Sequence, residues 1–188
     1  FIAVSVVGLW LIITSRRKGM ALVLVAGAVL AFLAFAPDDI TSRLTTIKEA
    51  GEDSSFMGRV IAWKISSAIA LENPVFGGGF HAVQVQAIWD KFKMSPGLLG
   101  FLNLPVPEFS AKAAHSIYFE VMGDLGLVGL ALFLFILLRA LWNRRIIKGM
   151  TTQLGVHYQW ARDMADMLML SVLAYMVGGA SVSLGYLE

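Results

Sequence analysis

Three residues in the middle of the sequence, Arg59, Trp63 and Ser66, recur at four- and three-residue steps. On a helix that spacing puts a permanent cation, an indole and a hydroxyl on one face. Further along stands Gly77-Gly78-Gly79, where a chain can take positive φ or let a ligand approach its backbone closely. Such a run can cradle an anion, although the strand, lysine and helix of a nucleotide-binding loop are missing around it. A third group opens a hydrophobic run: His115 and Ser116, then Glu120 and Asp124, interleaved with Gly123, Gly126 and Gly129. Ionisable residues at the mouth of a membrane span are costly unless they face a cavity or a partner, which makes them candidates for function. The alternative places all three ionisable side chains just outside the hydrocarbon, with Asp124 capping a helix that starts later. The glycines there imply small faces or a bend. No metal-ligand pattern is present, because His81, His115 and His157 are scattered.

These residues need elements to position them. Ser54 and Ser55, with Asp53 before them, are good helix N-caps. Met57, Val60, Ile61, Ile65, Ala68 and Ile69 then recur at helical spacing until Asn73-Pro74 ends the run. The spacing predicts an amphipathic helix of about four turns carrying Arg59, Trp63 and Ser66 on its other face. Such a helix could also simply lie on the membrane surface, with Arg59 solvated and Trp63 at the headgroups. Beyond the glycines, Trp89, Phe92, Met94, Leu98, Leu99, Phe101, Leu102 and Leu104 are interrupted by Pro96, Pro105 and Pro107. This apolar but broken stretch is suited to lining a lipid groove or to resting on neighbouring spans.

Composition supplies the wider frame. Of the 188 residues, 57% are hydrophobic and 15% charged, more apolar than a soluble domain. The mean hydropathy of +0.73 agrees. A membrane span needs roughly 20 apolar residues, and residues 19–36, 117–138 and 164–184 meet or approach that length. The run 1–14 is shorter and reads as the end of a span, so the chain is expected to be part of a longer protein. A signal peptide is disfavoured there because Arg16, Arg17 and Lys18 follow the apolar run instead of preceding it. With no cysteine, disulfides and thiolate metal sites are excluded.

Basic residues predict the orientation, since short cytoplasmic loops are enriched in Lys and Arg. Of fifteen, three lie in 16–18 and five are Arg139, Arg144, Arg145, Lys148 and Arg162, which assigns both connectors to the cytoplasm. The other seven, including Arg43, share residues 37–116 with eight acids, a near-neutral loop suited to the opposite side. The expected organisation is an all-α, polytopic helical membrane protein. Residues 1–36 would hold the end of one span and a second, 37–116 a large periplasmic loop containing the amphipathic helix, 117–138 a span, 139–163 a cytoplasmic connector and 164–188 a last span. The pI near 9.0 follows from this topology, and no nucleic-acid partner is expected.

Arg59 with Trp63, Asn73-Pro74 leading to Gly77-Gly78-Gly79-Phe80, and Ala114-His115-Ser116 followed by Gly126 and Gly129 together resemble the core of the O-antigen ligase and polymerase superfamily. The His-Ser pair, nine residues, then Gly-x-x-Gly is the most specific part. The wording of residues 114–130 is most similar to the exosortase-associated O-glycosylation ligases. The resemblance covers about residues 53–130.

It implies a multi-pass protein of the bacterial inner membrane, surrounded by membrane lipids. It implies transfer of a glycan from an undecaprenyl pyrophosphate carrier to a lipid or protein acceptor on the periplasmic side, with inversion and with no metal or cofactor. A departing lipid pyrophosphate gains negative charge and calls for fixed cations. Arg59 suits that role through bidentate contact with phosphate oxygens. His115 would take the acceptor's proton or orient the pyrophosphate. By the same resemblance Trp63, Gly78, Gly79 and Ser116 are candidate substrate-binding residues, and Arg43 is a possible second cation. A polymerase extending the glycan on its carrier is the nearest rival. A lipid-linked glycan transporter, for which Gly178-Gly179 would be the broken helix, and a structural subunit needing neither Arg59 nor His115 are the readings from other classes.

Overall fold

A computed structural model describes residues 5, 8–10, 12–13, 18–35, 54–102, 104 and 110–182. The described residues form α-helices and short 3-10 turns, with no strand among them. The chain divides into two units, Phe1–Asp53 and Ser54–Glu188.

In the first unit, α1 (Lys18–Phe35) falls where hydropathy places a helix. Leu22, Val23, Leu24 and Leu30 are all exposed on it, the arrangement of a helix whose surroundings are apolar.

The second unit begins with α2 (Ser54–Glu72), which stops immediately before Asn73-Pro74 as the sequence predicts. Ile61, Ile65 and Ile69 form its apolar stripe and pack with Trp89 and Phe92 of α3 (Gln86–Phe92) in one core. The helix is deeper than the surface-lying alternative would allow, because its polar positions Lys64, Ser66 and Ser67 are buried as well. Buried polar groups need partners, and two of these residues use theirs to hold the proline-broken stretch. The Ser67 hydroxyl donates to the Lys64 carbonyl at 2.7 Å and accepts from the Leu98 amide at 2.9 Å, while the Lys64 ammonium donates to the Lys93 carbonyl at 3.3 Å.

Helix α4 (Ile117–Gln153) runs through the expected span and on through most of the expected connector, 37 residues in all, or about 55 Å. A short turn leads to α5 (Gln159–Gly178). The two helices are joined at one end by the Tyr118 hydroxyl donating to the Met176 carbonyl at 2.8 Å, and at the other by Arg144 and Lys148, both paired with Asp166. Gly178-Gly179, the candidate for a broken transporter helix, instead marks the end of α5. A side chain at Gly179 would meet Ile117 at 2.6 Å, so the glycine lets α5 close against the start of α4. Among the described residues, Ile117–Thr151 and Gln159–Ser181 are long and apolar enough to cross a membrane. Leu132, Phe135, Ile136, Met167 and Leu168 point outward from them. An exposed apolar face of this extent belongs in lipid, so the fold is that of an all-α helical membrane protein.

Candidate functional site

Trp63 joins the two parts of the sequence that carry the candidate chemistry. Its indole N–H donates to the Ala114 carbonyl at 2.6 Å across 51 residues of chain. Its ring stacks on Phe119 with centroids 5.1 Å apart and planes 7° from parallel. The residue after Ala114 is His115, and Arg59 lies one turn before Trp63 on α2, so this contact ties the two candidate residues to one region. His115 is exposed and adopts a left-handed conformation with φ 48°. A non-glycine residue there costs on the order of 1 kcal/mol or more and persists only where the surroundings hold it. The carbonyl before it and the helix after it provide that hold, since Ser116 is the N-cap of α4, in extended conformation and 1% exposed. Ser116 presents its carbonyl to the Glu120 amide at 2.9 Å. Arg59 is half-buried, and its Nε is shielded from solvent without a hydrogen-bond partner among the described residues. The guanidinium carries four further N–H donors on its terminal nitrogens.

Beside Trp63 opens a cavity of about 500 Å³ lined by Phe56, Met57, Val60, Trp63, Leu99, Leu102, Leu104 and Phe119. Every wall is apolar. The broken stretch that begins at Trp89 therefore divides, with Leu99, Leu102 and Leu104 lining this cavity, Trp89 and Phe92 filling the core, and Met94, Leu98 and Phe101 facing outward.

The glycine run serves the fold. The amides of Gly78 and Gly79 donate to the carbonyls of Gly123 and Asp124 at 2.9 and 3.0 Å, so they are not left to form an anion nest. Those carbonyls are released because α4 kinks at Gly126, where φ 71° and ψ −171° interrupt the helix. The Val128 amide, which would ordinarily reach the Asp124 carbonyl, takes the Pro74 carbonyl instead at 3.1 Å. Loop and helix thus exchange hydrogen bonds, and both glycine motifs exist for this exchange. Asp124 completes it: its carboxylate accepts from the amides of His81 at 2.8 Å and Ala82 at 3.1 Å, holding the start of a 3-10 turn. Asp124 is 1% exposed and sits inside α4, in contrast to the cap of a later helix considered from sequence. Its partners lie more than 40 residues away, and only the nearness of an acid to Gly123 and Gly126 hinted at them. Gly123 itself packs on Ser66, whose Cβ would be 3.0 Å from a methyl there. Arg43 lies outside the described residues.

The family model described as O-antigen ligase matches residues 1–134, which takes in Arg59, Trp63, the glycine exchange and His115. The chain belongs to the O-antigen ligase family. Neither the curated proteins nor the solved structures include a match to it. Membership of the O-antigen ligase family gives the chain the role of a membrane glycan ligase or polymerase, a family role that suggests a lipid-linked glycan and an acceptor as substrates.

Proposed function

We propose that this O-antigen ligase family member is a ligase of the exosortase-associated type. In this reading it takes a glycan from an undecaprenyl pyrophosphate carrier and joins it to a lipid or protein acceptor on the periplasmic side of the bacterial inner membrane. The observation that carries the reading is the Trp63–Ala114 hydrogen bond, which ties the helix of Arg59 to the residue before His115, with Trp63 also lining a wholly apolar cavity. A lipid pyrophosphate has the matching two-part chemistry, an anionic head for Arg59 and an apolar tail whose first units suit the cavity.

In the transfer, an acceptor hydroxyl oxygen attacks the anomeric carbon from the face opposite the pyrophosphate. The new carbon–oxygen bond forms as the sugar–phosphate bond breaks, and the bonding pair leaves with undecaprenyl pyrophosphate. His115 receives the hydroxyl proton, and Arg59 holds the charge that develops on the leaving group. No step calls for a metal. Trp63 positions the region through its hydrogen bond and its stack on Phe119, while Gly78, Gly79 and Ser116 act through backbone placement.

Deleting the gene tests this. A ligase loss leaves the complete glycan on its lipid carrier and none on the acceptor. Single short repeats on the acceptor instead mark a polymerase, and unchanged glycans on both overturn the reading.

A further inference from the structure

We infer that the turn 73–80, within the loop that the sequence assigns to water, is inserted in the membrane, with Val75 and Phe76 among the acyl chains of the leaflet where α4 begins. Hydrogen bonds fix this turn to α4, and a bond to a spanning helix also fixes depth. The Gly78 and Gly79 amides are held by the Gly123 and Asp124 carbonyls, and the Pro74 carbonyl accepts from the Val128 amide at 3.1 Å. Helix α2 leads to the turn along the same face of α4. Trp63 is bonded to Ala114, just before α4 begins, Ser66 packs on Gly123, and a methyl on Gly126 would meet the carbonyls of Asn73 and Pro74. Each step along α2 towards the turn is thus a step along α4 into its span. Beyond the turn, the His81 and Ala82 amides come back to the Asp124 carboxylate.

The charges along α4 set that depth. Between Asp124 and Arg139 the helix has no ionisable residue, and this stretch covers about 21 Å. A hydrocarbon core of about 30 Å therefore takes in roughly three more residues at each end. Val128 then lies about 9 Å inside it, with Pro74 alongside. Non-helical backbone is tolerated at such depth only where protein satisfies its polar groups. Here the amides of Gly77, Gly78, Gly79, His81 and Ala82 all have acceptors, the first of them the Asn73 carbonyl at 2.8 Å. The side chains of the turn agree with the backbone. Phe76 is 83% exposed, Phe80 68% and Val75 51%, and this apolar surface runs on to the exposed Leu127 and Val128 of α4, whose apolar face belongs in lipid. Such a surface is costly in water and not among acyl chains. The exposed Glu72–Lys91 pair, at 2.5 Å beside the end of α2, limits the insertion: it belongs at the headgroups, with Lys91 reaching up on its apolar stem, so the turn enters by its tip.

The test uses the full-length protein in phospholipid nanodiscs, with a nitroxide attached to Val75→Cys or Phe76→Cys. Electron paramagnetic resonance then reads how readily each label meets oxygen, which concentrates among acyl chains, and a nickel chelate, which stays in water. Leu132→Cys on the outward face of α4 marks lipid, and Met94→Cys marks water. We expect the labels at 75 and 76 to match Leu132→Cys, open to oxygen and with most of the nickel accessibility of Met94→Cys lost. Labels open to the nickel chelate at both positions place the turn in water and overturn the inference. Labels reached by neither reagent show that another part of the protein or a second copy covers the turn, and overturn it equally. Both substitutions fall on exposed side chains, so the melting temperature should stay at the wild-type value; Phe80→Cys is a third position if one of the two variants does not fold.

Discussion

Replacing Gly126 with alanine tests the exchange of hydrogen bonds that seats the 73–82 loop on α4. At φ 71° and ψ −171° the backbone occupies a region essentially reserved for glycine, which costs any other residue about 1–3 kcal/mol. The added methyl would also lie 2.5 Å from the Pro74 carbonyl oxygen and 2.9 Å from that of Asn73. Both are backbone atoms that cannot swing aside. Relief by straightening the helix removes the acceptors of Gly78 and Gly79, at about 1 kcal/mol for each hydrogen bond, partly returned by the Val128 amide rejoining its own helix. The second route is the cheaper one and comes to at most about 2 kcal/mol, up to roughly thirtyfold in the folding equilibrium. For a chain of this size that is a fall in Tm of up to about 4–8 °C. Gly149→Ala is the control on the same helix, since nothing lies within 4 Å of its added methyl, and it should gain about 0.5–1 kcal/mol from helix propensity. Tryptophan fluorescence followed through thermal unfolding in detergent reads both. A Tm for Gly126→Ala within about 2 °C of wild type would show that the kink and the loop are not one device.

Three further outcomes follow from the proposed orientation and chemistry. Because the chain has no cysteine, Met94→Cys and Asn143→Cys can be labelled singly in intact cells; a membrane-impermeant thiol reagent should reach only Met94→Cys, and the reverse pattern would move the site to the cytoplasm. Arg59→Lys keeps a charge but loses the planar fork, so transfer should fall at least about tenfold with abundance unchanged, and near-normal transfer by Arg59→Ala would remove Arg59 from the site. A histidine base contributes roughly 10²- to 10⁴-fold, so His115→Gln should lower the transfer rate by about that factor with abundance unchanged, whereas an active His115→Arg would assign His115 to the pyrophosphate as a cation.

Much of the framework is legible along the chain. Hydropathy locates α1, the first half of α4 and most of α5, because a span must be apolar over its whole length whatever it packs against. Helical periodicity and Asn73-Pro74 locate α2, because a helix facing a core needs one apolar stripe and cannot pass a proline cheaply. The motifs Arg59 to Trp63 and His115 to Gly129 likewise carry the family resemblance without coordinates, since each is local. The continuation of α4 to Gln153 escapes hydropathy, because a helix that leaves the bilayer keeps its backbone and changes only its side chains.

Tertiary structure decides what each local feature is for. Gly77-Gly78-Gly79 and Gly126 fit the sequence rules for an anion nest and for a bend taken separately; only their juxtaposition makes them one set of exchanged hydrogen bonds. Ser67 and Lys64 look like the solvated side of an amphipathic helix until the stretch around Leu98 covers them and takes up their hydrogen bonds. Lys112 is one of seven basic residues in an apparently neutral loop, and its packing against Gly58 depends on chain that returns to α2 54 residues later in sequence. Periodicity reports which face of an element is apolar or small, because that is written in consecutive residues. It cannot report what covers the face, because the covering groups come from distant chain brought in by packing.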